Sequence, residues 1–130
     1  MIADGALADR RILVVEDEYI LARQLMRALA QEGAVVLGPV SDVARALALV
    51  DQVRGAIDVA ILDVNLVEEK VYPVADALRE RGVPFLFASG YDADEKQPRF
   101  ATVRHLVKPL VMRSLIATLV ATLADSPSDG

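Results

Sequence analysis

Three polar pieces of this chain each follow an apolar, β-branched run. Glu16-Asp17-Glu18 comes after Ile12-Leu13-Val14-Val15, Asp63 after Val59-Ala60-Ile61-Leu62, and Lys108-Pro109 after Leu106-Val107. In a parallel sheet the carboxyl ends of the strands share one edge, so residues far apart in sequence meet there. The product is a carboxylate cluster with one ammonium, which suits a divalent cation and a phosphoryl group. Two carboxylates about 4 Å apart repel by roughly 4 kcal/mol at an effective dielectric near 20, so Glu16, Asp17 and Asp63 together need a cation. Mg2+ fits, because it prefers oxygen ligands in octahedral geometry and keeps several waters while it bridges to phosphate. Asp63 is then the candidate nucleophile and Lys108 a compact positive charge for a phosphoryl oxygen.

Size and composition limit what surrounds these residues. At 130 residues with 54% hydrophobic side chains, the chain is expected to form one domain that buries roughly two-thirds of its unfolded surface. The longest stretch without a formal charge, residues 114–124, is 11 residues, well short of the roughly 20 that a membrane helix needs, so the chain reads as soluble with no membrane partner. Residues 1–9 carry Asp4 and Asp9 and lack the apolar core of a signal peptide. The absence of cysteine excludes disulfides and thiolate metal sites and fits a reducing, cytoplasmic setting. A net charge of -5 argues against direct binding to nucleic acid, which requires a basic face.

The elements needed to position the polar groups follow from periodicity. Strand-length apolar runs alternate with helix-period segments, the pattern of a parallel βα-repeated sheet. Residues 11–15 read as the first strand, followed by Leu21, Leu25, Ala28 and Leu29 at helical spacing and by Gly33 as a left-handed stop. Residues 34–37 read as a short second strand ended by Gly38-Pro39, and Ser41 as the cap of a helix carrying Val43, Leu47 and Val50. Residues 59–62 form the third strand. Glu69-Lys70 reads as a solvated pair beginning a third helix, with Pro73 in its first turn and Gly82 at its end. Residues 83–88 predict a strand buried on both faces, leading to Ser89. Between Ser89 and Val103, Gly90 and Pro98 predict a short, frayed or missing fourth helix. Residues 104–107 predict a fifth strand and residues 110–123 a last helix with Leu115, Ile116, Leu119, Val120 and Leu123 in one stripe. The expected organisation is a flexible N-terminus over 1–9, a domain over 10–124 and a loose tail over 125–130.

With those elements in place, the chain resembles the receiver domains of two-component response regulators over nearly all of residues 12–123. The acidic pair, Asp63, the hydroxyl of Ser89 and Lys108-Pro109 agree in order and spacing, at intervals of 46, 26 and 19 positions from Asp17 onward. Leu62-Asp63-Val64-Asn65-Leu66 and Phe85-Leu86-Phe87-Ala88-Ser89-Gly90-Tyr91 are similar to the alphaproteobacterial single-domain group called FAT GUY, with serine in place of its threonine. The resemblance implies an α/β, flavodoxin-like, doubly wound five-stranded parallel sheet of order 2-1-3-4-5 with a shortened or mobile fourth helix. It implies phosphorylation of Asp63 by a histidine kinase or histidine phosphotransfer protein, with Mg2+ held by Asp17, Asp63 and the backbone carbonyl of Asn65, and Glu16 holding a metal-bound water. It also implies phosphoryl contacts from Lys108 and Ser89, a cis Lys108-Pro109 bond, and a switch role around Ser89, with His105 at the position of the family's rotating aromatic and Tyr91 or Phe100 as its substitute. The output would be a downstream protein met through the first helix or the fourth-helix, fifth-strand and fifth-helix face, the latter also suited to a homodimer. Self-phosphorylation and self-dephosphorylation would be the only chemistry.

Each residue also has a simpler reading when taken alone. Asp17 and Glu18 suit the first turn of any helix, Asp63 and Ser89 suit turns, and Lys108 suits solvent. The coincidence of all of them at strand ends favours the site. Where the family often has Pro and the FAT GUY group commonly has Gly, four and five places after Asp63, this chain has Val67 and Glu68. Two other functions are compatible with the fold: a phosphorylation-independent adaptor, and a small aspartyl-phosphate phosphohydrolase. The phosphohydrolase is disfavoured because Asn65 stands where haloacid dehalogenase-type enzymes carry a second aspartate.

Overall fold

The computed structural model describes residues 5–53, 55–90 and 97–125. Five parallel strands form one sheet in the spatial order β2-β1-β3-β6-β7: β1 (Arg11–Val15), β2 (Val35–Val40), β3 (Val59–Asp63), β6 (Phe85–Ser89) and β7 (His105–Val107). A small hairpin, β4 (Asn65–Leu66) with β5 (Glu69–Lys70), stands apart from it. Counting sheet strands alone, the order is the expected 2-1-3-4-5 of a flavodoxin-like fold.

The period of two along each strand sorts side chains into two cores. Ile12, Val14, Val59, Ile61 and Leu86 point to the layer covered by α1 (Tyr19–Gln31) and α4 (Met112–Asp125). Leu13, Val15, Ala60, Leu62, Phe85 and Phe87 point to the layer covered by α2 (Val43–Gln52) and α3 (Tyr72–Glu80). A slip of one residue in any of these strands would exchange the two layers, so burial on both faces fixes the register. The observed pairings Val15 with Leu62, Asp63 with Ala88 and Ser89 with Val107 therefore bring the strand ends level.

Several local expectations are corrected. The second strand does not stop at Gly38-Pro39 but runs on to Val40 through a register shift, with a cis Gly38-Pro39 bond. Gly38 has φ +96°, and a Cβ there would lie 3.0 Å from the Val14 carbonyl oxygen, so glycine permits this close crossing. The cap of α2 is Asp42 rather than Ser41: its carboxylate accepts from the Arg45 amide at 2.8 Å, while Glu69 accepts from the Val43 amide at 3.0 Å. Glu69 and Lys70 thus belong to a hairpin, and the helix starts only at Tyr72 with Pro73 in its first turn. Val120 faces solvent; Leu115 and Leu119 are the fully buried members of the α4 stripe.

Among the described residues between β6 and β7, a 3-10 turn at Pro98–Phe100 is the one helical piece; residues 91–96, where the sequence predicts a short or missing fourth helix, lie outside the described residues. Phe100 enters the core, stacked on Tyr72 with centroids 5.6 Å apart and edge-on to Phe87 at 5.4 Å. Outside the core, Arg99 and Asp76 form a two-point ion pair at 2.9 and 3.0 Å that ties this turn to α3. At the other end, residues 5–9 do not hang free. Leu7 is fully buried in the α1/α4 layer, and the Asp9 amide donates to the Gly33 carbonyl at 2.8 Å.

Candidate phosphoryl and metal site

The carboxyl edge of the sheet assembles the groups read from the sequence. Asp63 closes β3, Glu16 and Asp17 follow β1, Ser89 closes β6, and Lys108 follows β7. One carboxylate oxygen from each of Glu16, Asp17 and Asp63 lies within 4.8 Å of the others. Lys108 Nζ donates to Asp63 Oδ2 at 3.1 Å and to Glu16 Oε2 at 3.3 Å. Both acids are 3% exposed, so the cluster is held away from water.

Backbone groups fix each acid in place. The Glu18 amide donates to Glu16 Oε2 at 3.1 Å, the Asn65 amide to Asp63 Oδ1 at 3.1 Å, and the Glu16 amide to the Val40 carbonyl at 2.9 Å. The last of these depends on the continuation of β2 past Gly38-Pro39. Lys108 is aimed by the hydrogen bond from its amide to the Ser89 carbonyl at 2.7 Å and is followed by a cis bond to Pro109.

Burial sets the charge state. Desolvation, then a hydrogen bond and repulsion from Asp63, pushes Glu16 up to about 8. Burial also raises Asp63, against the opposing pull of Glu16, Lys108 and the Asn65 amide. Burial alone would lower Lys108, but the Asp63 and Glu16 carboxylates more than reverse this and leave it raised. Lys108 is thus favoured as an ammonium, and burial beside one another disfavours the charged form of both acids. An all-oxygen set of this kind, short of positive charge, fits a hard divalent ion such as Mg2+ and not a soft one.

The sequence reading places Glu16, Asp17, Asp63 and Lys108 together, and the structure brings them together. Asn65 contributes its amide to Asp63, while its side-chain oxygen accepts from the Lys70 ammonium across the hairpin. Tyr91 lies outside the described residues. Ser89 Oγ and His105 Nε2 are in hydrogen-bond contact at 2.6 Å, a contact that the sequence reading did not anticipate. The spacing contains its only signal: Ser89 and His105 face the same way because Phe87 pairs with His105 and Ser89 with Val107 in parallel register. The hairpin was missed as well. Its two-residue turn, Val67-Glu68, puts Glu68 at φ +63°, where glycine is the usual residue.

Residues 12–120 match the response regulator receiver domain family. The chain belongs to that family. The receiver fold is shared with SdrG from Sphingomonas melonis Fr1, whose solution structure has 43% sequence identity and a TM-score of 0.76 and is matched over 92% of this chain and 98% of its own. A BeF3-activated conformation of SdrG, from Pseudomonas melonis Fr1, has 42% identity and a TM-score of 0.75, over 89% of this chain and 98% of its own. A receiver protein from Sinorhizobium medicae WSM419 has 26% identity and a TM-score of 0.80, over 93% and 99%. No curated protein sequence matches this chain. The identity to SdrG supports the resemblance to the FAT GUY group that residues 85–91 suggested.

Proposed function

We propose that this receiver domain accepts a phosphoryl group on Asp63 from the phosphohistidine of a histidine kinase or phosphotransfer protein and passes the change to a protein partner. The observation that carries this reading is the Lys108 ammonium 3.1 Å from a buried Asp63 carboxylate inside a three-acid cluster. One Asp63 carboxylate oxygen attacks phosphorus, the phosphorus–nitrogen bond of the donor breaks, and the imidazole leaves with the electron pair. The product is an acyl phosphate, which water later cleaves to phosphate and the restored carboxylate.

Lys108 offers its ammonium to a phosphoryl oxygen and Ser89 its hydroxyl to another, so transfer relies on positioning and charge neutralisation. Asp17, Asp63 and the carbonyl of Asn65 would hold Mg2+, with Glu16 acting through water. When bound, that ion supplies positive charge for the oxygens of the transferred group. SdrG, 42% identical, has a BeF3-activated conformation, which favours a phosphorylation-dependent receiver over a phosphorylation-independent adaptor.

The donor would approach across α1, where Tyr19 and Ile20 are each 70% exposed beside Leu110 and Lys108. Incubation with acetyl phosphate and Mg2+ is expected to add one phosphate to the wild type and none to Asp63→Asn, read by intact mass. Equal labelling of the two proteins would refute the assignment.

A further inference from the structure

Ser89 and His105 form a contact that the phospho-acceptor reading leaves unexplained. Ser89 is 4% exposed, and its Oγ sits 2.6 Å from His105 Nε2 on the neighbouring strand. The ring lies against Ser89 and in a T-shaped arrangement with Phe87, centroids 6.4 Å apart, on the sheet face that carries the aromatic layer. The charged neighbours on its own chain segment are engaged elsewhere: Arg104 with Asp125, and Lys108 with Glu16 and Asp63. The Thr118 hydroxyl donates to the Ser114 carbonyl at 2.8 Å.

A hydroxyl carries one proton and can accept at its oxygen. If Nε2 accepts that proton, none remains for a phosphoryl oxygen. If Nε2 carries its own proton and donates to Oγ, the serine proton is released to point at the acceptor site. We propose that His105 is a positioning residue for the phosphoryl group: by donating Nε2–H to Ser89 Oγ it turns the serine hydroxyl toward the phosphoryl oxygen on Asp63. A phenylalanine in the same place could fill the space but could not orient the hydroxyl. The inference rests on the phospho-acceptor reading and adds a residue to it.

The chain contains one histidine, so its imidazole nitrogen signals are unambiguous. In the full-length protein with Mg2+, addition of beryllofluoride is expected to move the ring to the Nε2-protonated form, seen in long-range 1H–15N spectra, and Ser89→Ala is expected to abolish that change. His105→Phe should weaken beryllofluoride binding by about 3- to 10-fold, the equivalent of one net hydrogen bond, while Mg2+ binding without beryllofluoride stays unchanged. His105→Gln, which retains an N–H donor at similar reach, should restore most of the affinity. The same His105→Phe change made on top of Ser89→Ala should add nothing. An imidazole spectrum indifferent to beryllofluoride, or full additivity of the two substitutions, overturns the inference while leaving wild-type binding intact. A wild type that does not bind beryllofluoride at all would instead overturn the phospho-acceptor reading, and this inference with it.

Discussion

At the scale of single residues, the site is governed by the cost of gathering acids out of water. Glu16 titrates near 8 against an ordinary value of 4.5 because it is buried beside Asp63. A carboxyl raised on folding stabilises the fold fully below its unfolded value and loses that contribution as pH climbs through its folded value. In metal-free buffer, thermal stability is therefore expected to fall from about pH 4.5 towards about 8, and Glu16→Gln should flatten that slope. Mg2+ competes with the same proton, so its affinity, followed by calorimetry, should rise with pH over this window in the wild type and less so in the variant. Glu68 bears a different local cost. Its φ of +63° is a left-handed conformation disfavoured by about 1 kcal/mol for a residue with a side chain, so Glu68→Gly should gain roughly that in urea denaturation. The glycine that is common at this place in the FAT GUY group would meet the same backbone demand.

At the scale of elements, legibility depended on whether a segment's own pattern or its neighbours decide its form. β1, β3 and β6 are apolar runs buried on both faces, and Asp63 and Lys108 could be read from where such runs end. The hairpin after Asp63 could not, because Glu68 lacks the turn residue that signals it. Asp42 caps α2 one position beyond the residue chosen from the sequence, a distinction between adjacent polar groups that only the Arg45 hydrogen bond resolves. Ser89 and His105 were each singled out in the sequence, but their direct bond depends on strand register and side-chain direction. The Pro98–Phe100 turn relies on its aromatic anchor. Phe100 touches Tyr72, Phe85 and Phe87, so Phe100→Ala is expected to cost about 3–5 kcal/mol in chemical denaturation.

At the scale of the whole molecule, the two faces of the sheet serve different ends. α2, α3 and the 3-10 turn pack the aromatic layer, while α1 and α4 leave Tyr19, Ile20 and Leu110 beside the acid cluster. Ile20→Asp should slow phosphotransfer from a kinase or phosphotransfer protein about tenfold, as loss of a buried apolar contact would, yet leave labelling by acetyl phosphate unchanged. Both rates can be followed with a radiolabelled donor. The segment ahead of β1 has a practical consequence of its own. Leu7 fills a socket in the apolar cluster under α1, and Gly33 is so close to Ala8 that an added Cβ would lie 3.0 Å from its Cα. A chain trimmed to start at Arg10 would open that socket to solvent and loosen the far end of α1, so affinity tags and fluorescent fusions belong upstream of residue 5, with the lead-in left whole.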